Sequence, residues 1–128
     1  MNYEKYKKLI IAGFGLETYE DIIRRWNEPH RFYHNIDHLN YLIKLFEQLY
    51  ADDKIDGNLL NKLIIVAFFH DVIYDPSKTN NEEKSIEYFV NNCGVTIVAS
   101  EEFKKEISGV IMDTKGRTKP TTWLSKTF

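Results

Sequence analysis

The sequence predicts an all-α helical bundle, and three observations carry that expectation. Apolar residues recur at helical steps: Leu42, Leu45 and Leu49 follow His38 at intervals of four, three and four. The apolar run from Leu63 to Phe69 lies in a segment longer than a typical strand, which outweighs its β-branched Ile64, Ile65 and Val66. No stretch reads clearly as a strand, and there are no repeats and no low-complexity tract.

Taken in order, the start MNYEKYKKLIIAGFGL places two lysines before an apolar octet, the outline of a signal peptide. Glu4 sits in the would-be charged region and no small-residue cleavage site precedes ETYED, so the stretch reads as an amphipathic first helix. Thr18 with Asp21 signals the cap of a helix to about Asn27, ended by Pro29. Asn35 to Tyr50 forms the next helix, with His38 on its buried stripe. After the turn ADDKIDGN, a helix runs from Asn58 to about Tyr74. DPSKTN is a loop, and Asn80 with Glu83 caps a helix through about Asn92, stopped by Gly94. Ser100 caps a last helix to about Asp113, and the tail TKGRTKPTTWLSKTF is polar and without period. Tyr and Phe at positions 33, 41, 46, 68, 69, 74, 88 and 89 recur at helical spacing and read as core.

Composition narrows the function classes. A chain of 128 residues, 43% hydrophobic and 28% charged, fits a single globular domain, 1–128. Seventeen Lys and Arg against 19 Asp and Glu give a net charge of -2, which argues against a nucleic-acid partner, although a local basic pocket stays open. The single cysteine, Cys93, permits no internal disulfide and suits a reducing cytoplasm. The longest apolar run, Leu63 to Phe69, is far below the ~18 residues of a membrane span.

The chemistry concentrates in histidines. His34 and His38 lie four apart in RFYHNIDHLNYL, and His70 stands beside Asp71 in AFFHDVIYDP, directly behind the apolar run. Burying an imidazole and a carboxylate is costly unless they are paired, hydrogen-bonded or metal-bound. Two packed helices can bring His38, His70 and Asp71 to one point, and imidazole plus carboxylate is a usual ligand set for a divalent transition metal. A single histidine on an apolar stripe is more often a hydrogen-bonded core residue, so the convergence of several carries the metal reading.

YHNIDH followed by AFFHDVIYD resembles the HD superfamily of metal-dependent phosphohydrolases. More narrowly, Arg31, Tyr33, His34, Asn35 and His38, then Phe69, His70, Asp71, Tyr74 and Asp75, then Asn81, Glu82 and Ser85, resemble a small bacterial family of predicted HD phosphohydrolases. The resemblance covers about Trp26 to Thr114 and implies an HD-domain-like helical bundle acting on a phosphate ester, nucleotide-like. It implies a divalent metal (Mn, Fe, Mg, Zn, Ni or Co) held by His38, His70 and Asp71, with a coordinated water made acidic enough to attack phosphorus. His34 matches the histidine that protonates the leaving oxygen in cyclic-nucleotide phosphodiesterases, a task suited to imidazole. Arg31 reads as a phosphate clamp or as an exposed charge after Pro29. Asn81 and Glu82 read as support behind the ligands or as helix N-terminal residues.

Two departures set up a rival reading. The superfamily has a further aspartate ligand on a late helix, expected beyond Phe128, and Asp113 does not match its place. Arg117 stands three residues after Thr114, where the resembling family usually has a histidine. The ligand set is therefore expected to be three, in a relative lacking the C-terminal part of the family domain or completed by water or another subunit. Apolar surface uncovered by such a loss favours a homo-oligomer. The rival function is a degenerate, non-catalytic module that binds a nucleotide or a partner protein.

Overall fold

The computed structural model describes residues 2–32, 34–94 and 100–115; Tyr33 and the tail from Gly116 onward, with Arg117, lie outside the described residues. A short 3-10 turn, Asn2–Tyr6, leads into α1 (Lys7–Phe14) and α2 (Leu16–Trp26). These are followed by α3 (Ile36–Ala51), α4 (Gly57–Phe69), α5 (Asn81–Asn92) and α6 (Glu101–Asp113). The architecture is an all-α bundle, with no strand among the described residues. No described helix is long and apolar enough to cross a membrane.

Helix α4 is the axis of the bundle. Leu60 and every residue from Leu63 to Phe69 are buried, so the helix is apolar on all sides and has to be surrounded. Helices α3, α5 and α6 pack against it. From α2, the Trp26 indole N–H donates to the Phe68 carbonyl at 3.0 Å. One hydrophobic cluster draws Ile10, Ile22, Phe46, Phe89 and Ile107 from the surrounding helices onto α4. Each such side chain contributes about 1.5–3 kcal/mol by leaving water.

Helix starts follow local chemistry in α3, α4 and α6. The Asn35 side chain accepts from the backbone N–H groups of Asp37 and His38, Asp56 accepts from Leu59, and Ser100 accepts from Phe103. Two expected caps are replaced. Helix α2 begins at Leu16 behind Gly15, whose φ of 96° lies in the region that favours glycine, while the Thr18 hydroxyl donates to Asn92 instead. Asn80 occupies the N-cap of α5 without a side-chain bond, and Glu83 pairs with Lys115 at 2.9 Å. Gly94 follows α5 because the chain there closes on α1: its N–H donates to Gly13, and an added Cβ would sit 3.2 Å from that oxygen.

Packing also corrects two register expectations. In α3 the buried face is Leu39, Leu42, Ile43 and Phe46, whereas Leu45 is 41% and Tyr41 63% exposed. The face that meets α4 is thus turned by about one residue from the stripe through Leu45. Helix α4 stops at Phe69, not near Tyr74, and that early stop places the histidine–aspartate doublet.

Candidate metal centre

His70 and Asp71 leave α4 rather than continue it. The His70 N–H still donates to Val66 at 2.8 Å, and the chain then turns, with Val72 N–H on Phe69 at 3.2 Å. Within a helix, adjacent side chains diverge by about 100° and do not face each other. Out of the helix, His70 Nε2 and Asp71 Oδ2 approach to 3.1 Å. His38, on the first turn of α3, completes the group: one ligand atom from each of His38, His70 and Asp71 lies within 4.8 Å of the others. The doublet is buried and His38 half-buried.

The donor chemistry fits a cation. His70 Nδ1 sits 2.9 Å from the Ala67 carbonyl, which can only accept, so this nitrogen carries a proton. Asp71 Oδ2 also accepts from His34 Nδ1 at 2.7 Å. His70 Nε2 faces the same carboxylate oxygen at 3.1 Å, a pair that either a proton on Nε2 or a cation between the two atoms satisfies. Burial raises the Asp71 carboxyl, but His70 together with hydrogen bonds from His34 and His70 outweighs it and holds the group well below the ordinary carboxylate range. Burial, reinforced by His70, lowers the pKa of His38 and favours its neutral, ligating form.

His34 stands at the mouth of this group with its side chain 41% exposed. Its hydrogen bond to Asp71 raises its pKa against the opposing effect of partial burial, and Glu82 adds to the rise. The ring lies 4.6 Å from the Tyr74 ring and 6.0 Å from that of His38, measured between centroids. His34 thus offers an Nδ1 fixed on Asp71 and an Nε2 available for proton transfer.

The remaining predicted residues fall into place differently. Arg31 is neither an exposed charge nor turned outward as a phosphate clamp: its side chain is 0% exposed and hydrogen-bonds to Glu28, His34, Asp71 and Val72. Asn81 holds the loop that follows the doublet, its side chain accepting from Asp75 N–H at 3.0 Å and donating to Asp75 O at 2.9 Å. One turn on, buried Ser85 accepts from Ile73 N–H at 3.1 Å and donates to Ile73 O at 3.3 Å. Ser85→Ala is expected to lower stability by about 1–3 kcal/mol, because it strands a part-buried N–H; a denaturant midpoint unchanged from wild type would contradict it.

Sequence reasoning missed Trp26. Its fully buried indole forms the floor of the site, with ring centroids 5.7 Å from His70 and 6.5 Å from His38. The available signal was its position four residues before the polar cluster that opens at His30, a large apolar side chain on α2 with an N–H that needs a partner when buried.

Against known proteins, no family model, no curated protein and no solved structure matches this chain.

Proposed function

We propose that this chain is a metal-dependent phosphohydrolase of the HD type, cytoplasmic, acting on a phosphate ester of nucleotide-like chemistry. The observation that carries the reading is the approach of His38, His70 and Asp71 donor atoms to within 4.8 Å beside His34. A divalent ion held by these three residues supplies Lewis-acid activation of water and phosphate. Asp71 serves twice, as a ligand and as the acceptor that fixes His34 Nδ1. With Nδ1 held, His34 presents Nε2 to the leaving oxygen and donates the proton there. Its raised pKa keeps more of it protonated near neutral pH than an ordinary histidine.

The second reading, a non-catalytic module for a nucleotide or a partner protein, draws on the size of the ligand group. Among the described residues that group has three members, short of the larger set of the resembling superfamily. Self-association belongs to either reading, supported by Tyr41 and Leu45, exposed one turn apart on α3.

Elemental analysis of the purified chain, followed by a panel of nucleotides and simple phosphate esters assayed with added Mn2+, Co2+, Zn2+ or Mg2+, separates the readings. The phosphohydrolase turns over at least one ester only with metal added, and a mild chelator removes that activity because three ligands hold the ion weakly. Metal binding with no turnover across the panel leaves the binding module. A chain that takes up no metal defeats the first reading.

A further inference from the structure

Four features of the Arg31 side chain come together at the candidate centre. It is 0% exposed. Its planar group lies over the Trp26 ring at 5.3 Å and near the Tyr74 ring at 5.5 Å. Its Nε donates to Glu28 at 3.0 Å. Its two terminal nitrogens reach three backbone carbonyls: Nη1 donates to His34 at 3.0 Å and Asp71 at 2.6 Å, and Nη2 donates to Val72 at 2.8 Å.

Those carbonyls are the ones that matter for the site. A helix leaves its last carbonyls without partners, and its C-terminal end carries partial negative charge. At the exit of α4, Ala67 O is taken by His70 Nδ1 and Phe68 O by Trp26, and the carbonyls of Asp71 and Val72 just beyond are taken by Arg31. The cation therefore caps the α4 exit from outside, and the place where α4 breaks is what lets His70 and Asp71 face each other. The same guanidinium holds the His34 carbonyl, so one planar group fixes the backbone on both sides of the 2.7 Å hydrogen bond between His34 and Asp71. A lysine ammonium cannot reproduce this, because the fork of the guanidinium has a fixed geometry that a point charge lacks.

We infer that Arg31 is the positioning residue of the centre: it sets the backbone separation of His34 from the His70–Asp71 doublet and thereby both the metal affinity and the orientation of the acid. The inference deepens the phosphohydrolase reading and rests on it for the metal, while the His34–Asp71 geometry stands independently.

The test compares the full chain with Arg31→Lys, Arg31→Met and Glu28→Gln. Glu28→Gln removes the charge that holds Nε while altering only a partly exposed residue, so it keeps the question answerable if Arg31→Met does not fold. Two readouts are taken well below each variant's melting temperature. One is Co2+ affinity by titration of its visible absorption; the other is the NMR resonance of the His34 ring N–H, identified by its absence in His34→Ala. Arg31→Lys and Arg31→Met are expected to lose about 10–100-fold in Co2+ affinity, the usual cost of removing a group that orients ligands, and to lose or shift the ring N–H signal. Glu28→Gln moves both readouts in the same direction by less. A lowered melting temperature with Co2+ affinity and ring N–H signal both unchanged would make Arg31 merely structural and overturn the inference. If the wild-type chain itself binds no Co2+, the phosphohydrolase reading fails, and the ring N–H signal alone decides the role of Arg31: its retention in Arg31→Lys and Arg31→Met overturns it.

Discussion

Replacing His70 with alanine is expected to remove metal binding and activity together. The imidazole is 5% exposed, its Nδ1 is fixed on Ala67, and its Nε2 faces Asp71 Oδ2 at 3.1 Å. Its loss takes one of the three proposed ligands from the centre, which should reduce affinity by more than the roughly 10–100-fold lost when only a supporting group is removed. The change also leaves Asp71, whose side chain is 10% exposed, with fewer partners, at a cost of about 1–3 kcal/mol in folding stability. Elemental analysis and calorimetric titration with Mn2+ check the first effect, and a denaturant midpoint checks the second. Affinity within threefold of wild type would exclude His70 as a ligand. His38→Ala should repeat the loss of metal with a smaller loss of stability, because His38 is only half-buried and its contact with the doublet is looser.

His34→Ala should do the opposite, sparing the metal and slowing the reaction. Its Nδ1 donates to Asp71, yet His34 is not one of the three residues whose donor atoms converge. In the proposed role of proton donor it should contribute on the order of 10²–10⁴-fold to turnover, with metal affinity held within a few-fold. The pH profile carries the sign. An acid works in its protonated form, so the rate falls as pH rises through the His34 pKa. Because the Asp71 hydrogen bond raises that pKa, the alkaline limb lies above the ordinary histidine range of about 6.5. In His34→Ala that limb disappears. An equal drop in metal affinity and turnover would instead make His34 a ligand, and an unchanged rate would remove it from the chemistry.

The two substitutions divide a constellation that was legible in large part from the chain alone. His38, His70 and Asp71 could be named because a polar doublet behind seven apolar residues has to be satisfied, and because His38 falls near the apolar face of a strongly periodic helix. The all-helical class, and the cap at Ser100, follow from interactions within about four residues, which sequence spacing records directly. Asn81 and Ser85 were visible as part of a motif, but not their grip on the backbone of Asp75 and Ile73 across the loop.

What the sequence determined by itself is therefore the helical class, most of the helix starts and the identity of the three converging donors. Tertiary structure decided where α4 ends, which way Arg31 points and which face of α3 is buried. The apolar periodicity of α4 gives no reason to stop at Phe69. The stop is stabilised by donors about 40 residues away: Trp26 on Phe68, and Arg31 on Asp71 and Val72. Arg31 turns inward because those carbonyls and Glu28 are there to receive it, and Leu45 turns outward because α4 meets the neighbouring face. Hydrogen bonds between distant segments leave no period in the sequence, and they help bring to one point two neighbouring residues that a continuing helix would hold apart.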